Sequence, residues 1–155
     1  MSLDNPVDRL KIQKIFPLLA SVQDWKITSP VDYKYNCIAW AGIKDNIWWW
    51  PEKDLDGIDW PFNLPYDTTL DTFVKLFQHM NYETCNSHVF EKNFQKIAIY
   101  INTDTQQCTH AARQQLNGKW TSKLGPMWDI DHPDPFVIEG NDYGKVAVIL
   151  KRKRD

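Results

Sequence analysis

The hydrophobic pattern changes from a helical to a strand period after Phe94, and this change constrains the fold more than any other feature. Before it, residues 68–81 place apolar side chains at the i, i+3, i+4, i+7 spacing of a helix with one buried face. After it, residues 96–102 read KIAIYIN, a β-branched run bounded by polar residues. This order predicts an α+β fold, with N-terminal helices packed on one face of a C-terminal antiparallel sheet, in one domain spanning 1–155.

The strands of this sheet are indicated by a hairpin signal. Asn117-Gly118 separates strand-like segments at residues 108–115 and 119–123, and Asn-Gly is among the strongest local signals for a β-turn between paired strands. A further strand is predicted at residues 145–152, after Gly144. The sheet therefore contains at least one hairpin of consecutive strands.

Two shorter helices are predicted nearer the N-terminus. Asn5 and Pro6 form an N-cap followed by a proline at the first helical position, which predicts a helix over residues 5–16. Asn36 can cap a second helix over residues 37–43, because its side-chain oxygen can accept a free backbone N–H of the first turn. This second helix begins at a cysteine.

Composition excludes some classes of function. The chain has 18 Lys plus Arg against 20 Asp plus Glu, and its net charge of −2 argues against a nucleic-acid or anionic-membrane partner. Charges near the N-terminus interrupt any signal-peptide core, and no stretch approaches the roughly 18 apolar residues of a membrane span. A cytoplasmic protein is expected, with secretion by a leaderless route left open.

The cysteine count and the acidic segments bear on cofactors. The three cysteines, at positions 37, 85 and 108, form no CxxC pair, and reduced thiols are expected. The DIDHP segment at 129–133 offers two carboxylates and His132, a set that suggests a hard metal ion. Its prolines indicate a turn instead, where acidic residues cap and solvate. We therefore predict neither a metal nor another cofactor.

Eight tryptophans are present, and several lie in a long loop from Lys44 to Asp67 that contains WWWP and DWP. Large indoles in a loop either cover the core or line a groove. In the second case they contact a substrate. The predicted substrate-binding residues are Trp40, Trp48, Trp49, Trp50, Trp60 and Lys123.

A cysteine at a helix start followed by a histidine at a strand start suggests nucleophilic chemistry. The N-terminus of a helix and a protonated imidazole both lower a thiol pKa, and the thiolate is the reactive form. Cys37 and His110 could then face each other across a cleft. The simpler alternative is that Cys37 is an inert buried residue, because free cysteine is among the most buried residue types.

Three segments carry a resemblance to papain-like cysteine proteases: CIAWA at 37–41, HAARQQLNGKWTSKLG from position 110, and YGKVAVILKR from position 143. The resemblance covers the cysteine helix and the final strands. It implies that Cys37 is the nucleophile, that His110 is the base, and that Ser122 occupies the third position, where that family usually carries asparagine. The family's oxyanion glutamine, expected shortly before the cysteine, has no counterpart here.

The chain also resembles, over nearly its full length, a set of small, mostly bacterial proteins of unknown function. The motifs shared with that set are NCxAWA, WWWP, a THAAR-like strand and a WTSKLG-like strand.

Several details of this site stay open at the level of sequence. A two-residue turn pairs His110 with Gly125 and turns Ser122 away, whereas a three-residue loop places Ser122 on the side of His110. Asp129, or Asp131, is a second candidate to orient the imidazole. Asn36 could donate its amide to an oxyanion or cap its helix, but one side chain is not expected to do both.

Two functions follow as hypotheses. The first is a cysteine hydrolase or acyl transferase that cleaves an amide or thioester bond in a peptide or protein substrate. The second is a non-catalytic module that keeps the fold and uses the aromatic loop to recognise a peptide or protein partner. The sequence does not determine the oligomeric state.

Overall fold

The structure is a computed structural model that describes residues 3–29, 31–32, 34–44, 46–53, 56–124 and 127–154. Its helices are α1 (Pro6–Ile15), α2 (Cys37–Ala41) and α3 (Leu70–Gln78), with short 3₁₀ segments at Pro17–Ser21 and Pro135–Ile138. Its strands are β1 (Lys26–Ser29), β2 (Trp48–Trp49), β3 (Ile58–Asp59), β4 (Glu83–Cys85), β5 (Phe94–Ile101), β6 (Cys108–Gln114), β7 (Trp120–Lys123), β8 (Asp129–His132) and β9 (Lys145–Lys153).

Within the described residues, seven of these strands form an antiparallel sheet in the order β1-β8-β7-β6-β5-β9-β4. The other two, β2 and β3, form a small parallel pair within the Trp-rich segment. The predicted α+β content and the antiparallel sheet are therefore confirmed. β5 lies between β6 and β9, and its residues 95–100 are all buried, as expected for an inner strand.

The helix ends follow from local chemistry. The side chain of Asn5 accepts a 2.9 Å hydrogen bond from the backbone N–H of Asp8, and Pro6 opens α1 where no donor is needed. Thr69 caps α3 in the same way, by accepting from the N–H of Thr72. Both helices lie within the limits that the sequence predicts.

The helices occupy both faces of the sheet, and the prediction of helices on one face is wrong. Side chains of α2 and α3 pack with Ile97, Ile99 and Ala111, whereas those of α1 pack with Ala98 and Ala112. Alternate residues of a strand point to opposite faces, so each face of β5 and β6 has its own hydrophobic cluster. In addition β1 precedes α2 in the chain, and α3 lies mid-chain, so helices and strands are not separated into N- and C-terminal halves.

The DIDHP segment is also different from the prediction. Residues 129–132 are the strand β8, paired with β1 on one side and β7 on the other, and all four are buried. Only Pro133 and the residues after it leave the sheet. The strand brings His132 into the interior, where a turn would have exposed it.

Candidate functional site

The site lies where β6 and β7 separate. Their register pairs Arg113 with Thr121 and Gln114 with Trp120. The hairpin is closed by Gln115 and Lys119 around a three-residue loop, whose end Gly118 adopts a positive φ of 86°. This is the second of the two registers that the sequence allows. Continued along the strands, it places Ser122 on the same face as His110, diagonally across from it.

A chain of hydrogen bonds links side chains of β6, β7 and β8 on the α1 side of the sheet. His110 Nε2 lies 3.0 Å from Ser122 Oγ, and Ser122 Oγ lies 2.8 Å from His132 Nε2. The other ring nitrogen of His132, Nδ1, lies 2.7 Å from the carbonyl oxygen of Asp134. All three side chains are fully buried.

The direction of these bonds follows from the carbonyl at one end. A carbonyl oxygen only accepts, so His132 donates from Nδ1, and its Nε2 in the neutral ring must accept from the Ser122 hydroxyl. The hydroxyl oxygen then accepts from His110, which carries its proton on Nε2. The network therefore assigns His110 the tautomer whose Nδ1 holds a free lone pair.

That lone pair is unused. His110 Nδ1 is buried and has no hydrogen-bond partner among the described residues. The Tyr143 ring stacks on the imidazole at a centroid distance of 3.9 Å and an interplanar angle of 5°. Burial, followed by the nearby His132, holds the pKa of His110 well below its ordinary value. The ring is thus neutral and held in place, with one basic nitrogen available.

The thiol of Cys37 reaches the same strand from the other face. Cys37 packs in the cluster that contains Ala111, the residue after His110. Burial raises the pKa of the Cys37 thiol to about 11, and the backbone amides of Ala111 and Ile38 offset only part of this rise. Burial therefore disfavours the thiolate that the sequence predicts at this helix start, because loss of hydration outweighs the hydrogen bonds to the sulfur.

His110 belongs to β6 and Cys37 packs against the next residue of that strand, but the two side chains lie on different faces of the sheet. The imidazole lies on the α1 side with Tyr100 and Tyr143, whereas the thiol lies on the α2 side. No hydrogen bond joins Cys37 to His110, although both residues lie in the described part of the chain. The structure therefore places the two groups beside neighbouring residues of β6, on opposite faces of the sheet, and does not pair them.

Asn36 caps α2 and does not serve as a free amide. Its Oδ1 accepts from the N–H groups of Ala39 at 3.2 Å and Trp49 at 3.1 Å. Its Nδ2 donates to the carbonyl of Trp49 at 2.7 Å. The prediction of a cap is confirmed, and the alternative of an oxyanion donor is wrong, because the amide fastens the Trp-rich segment to α2.

Asp129 does not orient His110. Its carboxylate accepts from the hydroxyl of Tyr35 at 2.8 Å and lies 3.9 Å from the ammonium of Lys123. These contacts are on the α2 side of the sheet, whereas Ser122, which does hold His110, is on the α1 side. Asp131, the other candidate, accepts from Gln115 at 2.6 Å and also lies away from the imidazole.

The Trp-rich segment mainly covers the core. Trp49 and Trp60 are buried in the cluster around α3, and Trp60 donates to the carbonyl of Pro65 at 2.9 Å. Their burial leaves these two indoles little surface for the substrate contact that the sequence predicts. Trp48 and Trp50 are half-buried, so part of each side chain remains accessible.

The other two predicted substrate contacts differ from each other. Lys123 is fully buried: its ammonium donates to the carbonyl of Met127 and lies 4.8 Å from the ring centroid of Tyr35. It therefore has no surface to offer a substrate. Trp40 is half-buried, and the guanidinium of Arg113 lies 4.2 Å above its ring.

Sequence reasoning missed two members of the site, His132 and Tyr143. The prolines after His132 predict a turn, although the alternation of Ile130 and His132 with acidic residues is a weak strand signal. Tyr143 precedes Gly144, and its backbone carbonyl accepts a hydrogen bond from the Thr109 hydroxyl at 2.6 Å. This contact holds Tyr143 beside β6, where its ring stacks on the imidazole of His110. No local pattern marks that contact.

The described residues limit two further kinds of site. None of them forms a group of three or more His, Cys, Asp or Glu side chains arranged to hold a metal ion. None of the helices in the described ranges has the length and apolar character that a membrane-spanning helix needs.

Comparison with known proteins gives a family without an assigned role. No curated protein and no solved structure matches the chain. A family model does match, over residues 26–151, which include strands β1 to β8, most of β9 and all the site residues described above. The chain therefore belongs to the family described as a domain of unknown function, DUF7689.

Proposed function

We propose that this protein is a cysteine hydrolase or acyl transferase that cleaves an amide or thioester bond, with Cys37 as the nucleophile and His110 as the base. The observation that carries the proposal is the lone pair on His110 Nδ1, which the Asp134–His132–Ser122 relay orients and leaves without a partner. A buried acceptor without a donor needs an explanation, and a catalytic role is one of the recurrent ones.

The thiol of Cys37 is the nucleophile that we assign to that base, because it packs against Ala111, the residue that follows His110. A hydrogen bond from the Ala111 amide lowers the pKa of the Cys37 thiol, and the charge of the Cys37 thiolate would raise the pKa of Tyr143. Ala111 follows His110 in the chain, and the Tyr143 ring stacks on its imidazole. In the proposed reaction Nδ1 takes the thiol proton as Sγ attacks the carbonyl carbon. The protonated imidazole then returns the proton to the leaving amine or thiol, and water or an amine releases the acyl group from sulfur.

Two features support this direction of proton transfer. The ring is neutral before reaction, so it can accept a proton, and Ser122 can stabilise the imidazolium by accepting from Nε2. The backbone amides of Ile38 and Ala111 near the sulfur are suitable donors to an oxyanion. Because the thiol and the imidazole are buried on different sides of β6, the reaction requires a rearrangement of this segment that brings Sγ within hydrogen-bonding distance of Nδ1 when substrate binds.

We also infer that the site is papain-like in its order of parts. A cysteine begins α2, a histidine lies near the start of β6, and a side chain of the next strand holds the far nitrogen of the imidazole. Serine here stands where asparagine is usual in papain-like enzymes. An asparagine oxygen could accept the same Nε2 proton, so Ser122→Asn is a conservative change within the proposal.

The test is acyl-enzyme trapping. The protein is mixed with a panel of N-acetylaminoacyl thioesters, and the adducts are located by peptide mass spectrometry. We expect acylation at Cys37, slowed about 10²- to 10⁴-fold in His110→Gln, as for loss of a general base. Cys85→Ala is the matched control and should acylate like the wild type. Labelling spread equally over Cys37 and Cys85, or Cys37 acylation unchanged in His110→Gln, would exclude the mechanism.

A second candidate is the non-catalytic binding module. The specific observation in its favour is that the thiol and the imidazole are buried on two sides of β6 without a hydrogen bond between them. In that case Trp48, which is only half-buried, is the best placed indole for a peptide partner. Trp48→Ala should then reduce capture of peptides from a random array, while Cys37→Ser leaves it unchanged. Loss of capture in Cys37→Ser would count against this candidate.

A further inference from the structure

A polar pocket of about 270 Å³ lies on the α2 side of the sheet, away from the His110 relay. Its lining includes Trp40 from α2, Arg113 from β6, Thr121 from β7, and Asp129 and Asp131 from β8. Pockets for drug-sized ligands are usually about 300–1,000 Å³. The volume therefore suits a small molecule or the end of a longer one.

The cation of this pocket has no described anion within ion-pair distance, although the charge of Asp129 attracts it from farther away. The guanidinium of Arg113 is stacked on Trp40 at 4.2 Å, but it forms no ion pair and no hydrogen bond with any described residue. A half-buried guanidinium normally has such a partner, because its five N–H donors lose water on burial. Stacking satisfies the face of the group and leaves its edge free to bind a carboxylate with two parallel hydrogen bonds.

The same pocket contains two carboxylates that are incompletely used. Asp129 Oδ1 is buried and accepts no hydrogen bond within the described chain, whereas the carboxylate as a whole interacts with the hydroxyls of Tyr35 and Ser29 and lies 3.9 Å from the Lys123 ammonium. Asp131 uses Oδ1 to accept from Gln115 at 2.6 Å. Thr121, on β7, pairs with Arg113 on β6 and with Asp131 on β8, and its hydroxyl adds a neutral donor or acceptor to the pocket. The wall therefore presents a free cation and acceptors for a positive group.

We propose that this pocket binds the zwitterionic backbone of an α-amino acid or of a short peptide, with the ligand carboxylate on Arg113 and the ligand ammonium on the side of Asp131 and Asp129. Opposite charges at both ends of one small ligand match opposite charges on two adjacent walls. A ligand with only one charge leaves either Arg113 or the carboxylates without an oppositely charged partner. The inference does not depend on Cys37 chemistry, although Trp40 and Cys37 share α2.

Calorimetric titration of the wild-type protein tests the charge pattern. The probes are glycine and L-alanyl-L-alanine as zwitterions, N-acetylglycine without the ammonium, and glycinamide without the carboxylate. We expect one or both zwitterions to bind, and the two blocked compounds to bind at least about tenfold more weakly, as for loss of one charged hydrogen bond. Comparison of glycine with the dipeptide distinguishes a free amino acid from a peptide as the ligand.

Variants test the placement. Arg113→Gln and Asp131→Asn should each weaken zwitterion binding about 10- to 100-fold. Arg152→Gln is a matched control, since Arg152 also lies over an aromatic ring, that of Tyr82, but outside this pocket; its binding should equal that of the wild type. The proposal is overturned if no zwitterion binds saturably to the wild type, if N-acetylglycine or glycinamide binds as well as glycine, or if both pocket variants bind like Arg152→Gln.

Discussion

Ser122 Oγ lies 3.0 Å from His110 Nε2, although the register of β6 and β7 places these two residues diagonally and not directly opposite each other. The same hydroxyl lies 2.8 Å from His132 Nε2. One small side chain thus joins two buried imidazoles that have no other contact through these nitrogens. Most of the expected behaviour of the site depends on this junction.

Ser122→Ala should destabilise the fold. It leaves His110 Nε2 without an acceptor and His132 Nε2 without a donor, and each unpaired buried group costs about 1–3 kcal/mol. We expect the free energy of unfolding in urea to fall by about 2–4 kcal/mol. Ser21→Ala, at an exposed serine, is the control and should change it little. Equal stabilities for the two variants would show that the relay contributes nothing.

Stability should fall as the pH is lowered through the titration range of His132. Burial lowers the pKa of His132 to about 4, whereas the unfolded chain titrates near the ordinary 6.5. Between these values the unfolded state binds more protons than the folded state, so the contribution is complete above about pH 6.5 and is lost as the pH falls toward 4. The difference corresponds to roughly 3 kcal/mol for this group.

Urea unfolding at a series of pH values measures this dependence. His132→Gln should reduce the slope between pH 6.5 and 4, and His79→Gln, which changes an exposed histidine, should leave it unaltered. His110, whose pKa is also lowered, adds to the slope in both variants. A slope that is the same in His132→Gln as in the wild type would contradict the assignment of a buried neutral ring.

Cys37 should react slowly with iodoacetamide in the absence of substrate. With a pKa of about 11, only about 0.1% of the thiol is ionised at pH 8, against roughly a quarter for an ordinary cysteine. Time courses followed by peptide mass spectrometry should therefore show half-buried Cys85 alkylated well before Cys37. Rapid, pH-insensitive alkylation of Cys37 would instead indicate a thiolate–imidazolium pair in the resting protein.

Asn36→Ala should lower the free energy of unfolding more than the equivalent change at the cap of α1 does. Asn36 serves α2 and also both backbone groups of Trp49, whereas the cap oxygen of Asn5 serves one amide of α1. We expect a loss of roughly 2–5 kcal/mol for Asn36→Ala and about 1 kcal/mol for Asn5→Ala in urea unfolding. Equal losses would mean that the link to Trp49 adds no stability.

Elements with a strong local signal were predictable. The capped helices α1 and α3, and the β-branched strands β5 and β9, lie within a few residues of their expected limits. The short strands β1, β4 and β8 are not predicted, because all three carry polar residues, β1 and β4 pair only with strands far away in the chain, and β8 pairs with distant β1 as well as with β7. Pairing of that kind leaves little trace in a window of four residues.

The sequence by itself determined which side chains were available: one cysteine at a capped helix start, one histidine at a strand start, and a serine after an Asn-Gly hairpin. Only the tertiary structure decided the loop length that turns Ser122 toward His110, the second histidine that completes the relay, and the burial that keeps the thiol of Cys37 protonated. The physical reason is that local propensity acts through neighbouring residues. Strand register, burial and proton position are instead set by partners that lie far away along the chain.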